Sequence, residues 1–185
     1  IVYFWKESRE VQRLAEVSLL NGYSAIKSDL LKSVYTAFPV EIVYRVVQKD
    51  EPSEHLYRVL ADGLDSMEAW TGHPANHAAW QVAQLMTAAG FSPVLEPYGE
   101  TACSCSFTGE VATRFGTERG PYAEVFEELI RLVLSREQCP VVKYPQEVFD
   151  VLRQFVIKYV ETDFRSLRVL DQIARKNEFK YDDAE

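Results

Sequence analysis

Helical periodicity runs from Ala75 to Ala89, with Ala79, Val82, Ala83, Leu85 and Met86 on one broad face. It stops abruptly at Gly90-Phe91-Ser92-Pro93-Val94-Leu95-Glu96-Pro97. A stretch of β character, Thr101 to Phe115, follows before helical patterning resumes and continues toward the end of the chain. This interruption limits the fold to a mainly α, multi-helix domain carrying a small, locally built β-hairpin at 101–116. Thr108-Gly109 is the expected turn between strands Ala102–Phe107 and Val111–Phe115. The small residues of the Ala75–Ala89 face let a neighbouring helix approach closely, so this helix is expected at the centre of the core.

The remaining pattern fills in the helices. Ile1-Val2-Tyr3-Phe4-Trp5-Lys6 reads as a strand, and Arg9 to Leu20 as a helix closed by Asn21-Gly22. Ala25 to Lys49 is a longer helical pattern with Pro39 inside it, which predicts a kink or break near Phe38. Ser53 is placed to cap a helix over Glu54–Trp70 that buries Leu56, Leu60, Leu64 and Met67. Pro74 suits a first helical turn. Ala123–Leu134 and Pro145–Val160 follow, the second turning Val148, Val151, Leu152, Phe155 and Tyr159 inward. Ser166–Arg175 is the last helix, and 177–185 is a polar tail.

Composition narrows the function classes. No apolar run approaches the ~20 residues that span a bilayer, and an odd three cysteines suit a reducing cytoplasm better than a disulfide scaffold. A net charge of −8 argues against wholesale coating of nucleic acid while permitting a local basic stripe. The charge is uneven. Asp50, Glu51, Glu54, Asp62, Asp65 and Glu68 face one base, Arg58, whereas Lys143, Arg153, Lys158, Arg165, Arg168, Arg175 and Lys176 crowd the last helices. Among these, Arg153, Lys158, Arg165, Arg168 and Arg175 form the candidate contact stripe for phosphates or an acidic partner, in competition with a solvated mixed-charge face.

No catalytic or metal constellation stands out. Cys103-Ser104-Cys105 lacks the two-residue gap that turns both sulfurs toward one tetrahedral ion, and no second pair lies nearby. His73 and His77 have chelating spacing, but no acidic or thiol ligand completes the set, so capping or surface roles are expected. Neither a G-x-S-x-G, a P-loop nor a G-x-G-x-x-G is present. The expectation is a protein that binds and is not an enzyme, with no cofactor and no metal. An unrecognised hydrolase would need His73 or His77 beside a nucleophile and an acid.

Several segments, read in order, resemble the RecO family of recombination mediators. Phe4-Trp5-Lys6-Glu7-Ser8-Arg9 resembles the passage from that family's N-terminal OB barrel into its helical domain. Glu51-Pro52-Ser53-Glu54-His55-Leu56-Tyr57-Arg58-Val59-Leu60 is similar to its "e-P-n-x-x-L-F-x-L-L" helix start. Trp80 to Leu95 is similar to its "F-E-L-x-L-L-x-x-L-G-Y-x-P-x-L" segment, and Phe164 to Leu170 to "L-K-S-R-x-x-L". The resemblance assigns 1–8 to the end of an OB barrel and 9–176 to the helical domain, with most of the barrel expected upstream of Ile1.

That resemblance implies a bacterial, cytoplasmic, nucleoid-associated DNA repair and recombination mediator. It implies binding of single- and double-stranded DNA, of RecR and of the acidic, hydrophobic C-terminal tail of the single-strand-binding protein, with strand annealing and RecA loading as the outcome. Many members carry two C-x2-C pairs that bind zinc. Here Tyr98 and Thr101 hold the first pair's positions, and Pro121-Tyr122-Ala123 runs on without cysteine. A helical protein-interaction module without DNA binding, docking its partner on the acidic Asp50–Glu68 helix or an apolar groove, is the alternative reading.

Overall fold

A computed structural model describes the backbone of residues 19–47, 53–91, 95–98, 102–105, 121–160 and 162–181, and the backbone alone at 95–98, 102–105, 121–123, 126 and 175–181. Its elements are α1 (Ser24–Ser28), α2 (Leu30–Val46), α3 (Glu54–Ala69), α4 (Pro74–Ala88), β1 (Leu95–Tyr98), β2 (Ala102–Cys105), α5 (Pro121–Leu134), α6 (Pro145–Val160) and α7 (Arg165–Tyr181). The chain is mainly helical, as its periodicity predicts.

α4 is the hub. It packs against α2, α3, α5 and α6, and every residue from Pro74 to Ala83 is buried. Alanines at 75, 78, 79 and 83 bring the neighbouring backbones close. The α3 contact is tightest at Gly63, where an added Cβ would lie 2.1 Å from Gln81 Nε2. Gln81 is itself buried and donates to the Leu60 carbonyl at 3.2 Å, so it has little room to yield.

Polar residues on α4 also hold the α5–α6 connection. Asn76 donates to the Pro140 carbonyl at 2.7 Å and accepts the Val142 amide at 2.7 Å. The Trp80 indole and Gln84 amide both donate to the Ser135 carbonyl, at 2.7 and 3.1 Å. Residues 76, 80 and 84 recur every helical turn, so one stripe of α4 satisfies the backbone of the loop that α6 needs for its approach.

A second cluster joins α2 to α6 and α7. The Phe38 ring meets Phe149 at 5.7 Å and Phe164 at 5.2 Å, and Tyr35 meets Phe149 at 5.0 Å, all edge to face. Phe38, Phe149, Phe155 and Phe164 are at most 2% exposed. Each buried ring of this kind contributes about 2–3 kcal/mol through loss of apolar surface from water.

Several expectations are corrected. The long helical pattern breaks at Asp29, not near Phe38. Asp29 is extended (φ −109°, ψ 115°) and accepts the Lys32 amide at 3.0 Å, which ends α1 and caps α2. α2 runs through Pro39, whose missing N–H leaves the Tyr35 carbonyl without its usual intrahelical donor. Leu60 and Leu64 are half-buried, because only the Leu56, Gly63 and Met67 edge of α3 faces α4 directly. Tyr159 is 40% exposed and rests its ring on Phe155 at 4.5 Å.

β2 falls within the first expected strand, Ala102–Phe107, but it pairs with β1, which lies before it in sequence. The register sets Leu95 opposite Cys105 and Tyr98 opposite Ala102. The expected partner strand Val111–Phe115, the opening strand at 1–8 and the helix Arg9 to Leu20 up to residue 18 lie outside the described residues.

Candidate functional site

Of the five basic residues singled out by sequence, the described side chains bring two together in one place. Arg153 of α6 and Arg168 of α7 line one cleft of about 420 Å³ between the two helices. Ile157, Phe164 and Leu167 give it an apolar floor, and Asp163 and Asp171 stand beside the arginines. Lys158 is exposed on α6, and Arg165 is exposed where α7 begins. Arg175 lies on α7, with its side chain outside the described residues.

Both cleft arginines already have counter-ions. The Arg153 guanidinium grips Asp171 with two hydrogen bonds, at 2.6 and 2.8 Å, and Asp150 stands 3.8 Å away. This forked pair has geometry that lysine cannot reproduce, and it ties α6 to α7. Arg168 Nε lies 3.5 Å from Asp163 in a largely exposed pair, a contact that water and salt weaken. An incoming anion therefore meets Arg168 readily, whereas it must displace Asp171 to reach Arg153.

The start of α7 is fixed from a distance. Glu41 of α2 accepts the Arg165 amide at 3.1 Å, the Ser166 amide at 2.9 Å and the Ser166 hydroxyl at 2.8 Å. Desolvation pushes the Glu41 carboxyl up, but these hydrogen bonds and one from Arg45 outweigh it and hold the group below the ordinary glutamate range. Glu68 of α3 does the same for α1, accepting the Ala25 and Ile26 amides at 2.8 and 2.9 Å, and its carboxyl is likewise held low. Neither cap shows in the sequence, because the partners lie more than forty residues apart.

The histidines separate. His73 caps α4 by accepting the Ala75 amide on Nδ1 at 3.2 Å, as capping spacing predicts. His77 is not at the surface: it is fully buried between the Trp70 and Trp80 rings, each 5.5 Å away. Its Nε2 lies 2.9 Å from Ser66 Oγ, and its Nδ1 has no hydrogen-bond partner, so no carboxylate orients the ring as a Ser-His pair requires. Burial lowers its pKa to about 4 and keeps it neutral. Cys139, hydrogen-bonded by Asn76 at 3.1 Å, has its thiol pushed up to about 12 by burial, which removes the thiolate that redox or ligand chemistry needs.

The fold first defines a class, a mainly helical domain built round one central helix. Residues 27–168 match the family model described as Recombination protein O C terminal, and the chain belongs to that RecO family. It is similar to the DNA repair protein RecO of Exiguobacterium sibiricum, 25% identical over 191 residues that cover 93% of this chain and 75% of the relative. It is also 27% identical over 107 residues to the DNA repair protein RecO of an Anaeromyxobacter strain, covering 58% of this chain and 41% of that one. No solved structure matches it significantly.

The first cysteine pair that the resemblance implies has no counterpart in this sequence, where Tyr98 and Thr101 stand at its positions. β1, the strand paired with the Cys103 and Cys105 strand, offers Pro97 and Leu95 opposite them and no thiol. Among the described residues no group of three or more histidine, cysteine, aspartate or glutamate side chains could hold a metal ion. No helix among them is long and apolar enough to cross a membrane.

Proposed function

We propose that this chain is the helical part of a cytoplasmic DNA repair and recombination mediator that works by binding and not by catalysis. On this reading it contacts single- and double-stranded DNA and RecR. It also takes the acidic, hydrophobic C-terminal tail of the single-strand-binding protein, so that complementary strands anneal and RecA can load. Family membership supports the repair role, and the α6–α7 cleft carries the binding reading. An apolar floor of Ile157, Phe164 and Leu167 beneath Arg168 offers what a short peptide with an apolar end and carboxylates requires. Arg153, clamped to Asp171, acts in this scheme as the strut that holds the cleft open.

The test is calorimetric titration of the intact protein with a synthetic acidic peptide ending in an apolar residue. The reading expects saturable binding that weakens with salt and falls about tenfold or more on Arg168→Glu, in line with loss of a charge-assisted contact. Absence of binding, or binding indifferent to both salt and Arg168→Glu, contradicts it.

A further inference from the structure

A different surface carries aromatic and cationic chemistry that the α6–α7 cleft does not use. Tyr44, near the end of α2, is 78% exposed although it is a large aromatic in a well-packed helix. The Arg45 guanidinium carbon lies 5.9 Å from the centre of the Tyr44 ring, within cation–π range. Arg45 also reaches Glu41 Oε1 at 3.4 Å, the same oxygen that accepts the Arg165 amide at 3.1 Å. That shared acceptor brings the Arg45 guanidinium and the Arg165 backbone amide to one oxygen, at the junction of α2 and α7. The acid between them is already occupied by the Arg165 and Ser166 amides and the Ser166 hydroxyl. Arg165 is exposed where α7 begins, and the Arg45 side chain stays about a third exposed (35%) beside the uncovered Tyr44 ring.

We propose that Tyr44, Arg45 and Arg165 form a contact site for single-stranded nucleic acid, with a base stacked on Tyr44 and adjacent phosphates against the two arginines. Every base has a π-face, so a lone exposed ring serves any sequence, and flanking cations follow the backbone. A duplex offers no free base face to Tyr44, which makes this surface selective for single strands. The inference rests on the DNA-binding part of the function proposed above and gives it a location of which the sequence singled out only Arg165.

The experiment uses the intact protein and a fluorescent oligo(dT), together with the same oligonucleotide carrying 5-iododeoxyuridine for photocrosslinking. Expected are a crosslinked peptide containing Tyr44 and a loss of affinity of about five- to tenfold in Tyr44→Ala that Tyr44→Trp restores. Arg45→Ala should flatten the dependence of log affinity on log salt by about 0.7. Circular dichroism melts of Tyr44→Ala and Tyr44→Trp should match the wild type, given the exposure of Tyr44. Wild-type binding that Tyr44→Ala and Arg45→Ala leave unchanged overturns this site and spares the wider DNA reading. A loss in Tyr44→Ala that Tyr44→Trp fails to restore also overturns it. No wild-type binding at all removes both.

Discussion

His77 shows how much one residue can set the working range of this fold. Its ring is fully buried between two tryptophans in the neutral form, with a folded-state pKa of about 4 against about 6.5 in an unfolded chain. The unfolded state therefore takes up the proton first as pH falls. Stability from this group is complete above about pH 6.5 and is lost progressively toward pH 4, by at most about 3 kcal/mol. Urea midpoints measured from pH 7.5 to 4.5 should fall across that window, and His77→Gln should remove most of the slope between pH 6.5 and 5. Equal slopes in the two proteins would refute the assignment. The sequence did not disclose this role. The spacing of His73 and His77 was visible, but which of two histidines on one helix turns inward depends on where α3 packs.

At the level of elements, two glutamates from distant helices close the ends of α1 and α7, and one arginine bridges α6 to α7. Glu41→Gln keeps a hydrogen-bond acceptor but loses the charge that favours a helix start, and should cost about 1 kcal/mol at neutral pH. Because the folded-state pKa of Glu41 is lowered, its contribution is present above the unfolded value and disappears as pH falls below about 4.5. Wild type and Glu41→Gln should therefore converge in stability on acidification, and a constant difference would contradict the cap. For the bridge, a double-mutant cycle on Arg153→Met and Asp171→Leu should give a coupling of about 1 kcal/mol in thermal or urea unfolding. A coupling near zero would mean that the two bonds are not held in solution.

The helices themselves were largely legible in the chain. Spacing placed α3, α4, α5 and α6 to within about two residues, because each has an apolar edge wide enough to override local propensity. The passage of α2 through Pro39 was not legible in that way: proline disfavours a helix interior, yet Phe38 and Ile42 bury on either side of it, and tertiary packing outweighs the local cost. Asp29, an ordinary cap residue, was the better marker. Of the site, the arginines could be listed from sequence but not sorted. Nothing local tells that Arg153 is clamped by a residue on the next helix, or that Tyr44 is uncovered. Those facts belong to packing.

For the whole molecule, a net charge of −8 sits beside arginine-bearing surfaces at α2–α7 and α6–α7, the second with Asp163 and Asp171 among its lining residues. An acidic body repels nucleic acid at long range, so a DNA contact made through these arginines acts at short range and weakens with salt. In the function proposed above, this RecO-family chain acts by such contacts. The most direct test of that function is fluorescence anisotropy of a labelled single-stranded oligonucleotide titrated with the intact protein at several salt concentrations, alongside Arg165→Glu/Arg168→Glu. The account predicts saturable binding whose affinity drops as salt rises, with a shallower slope in the double variant. Binding that is absent, or that ignores both salt and the double charge reversal, would contradict it.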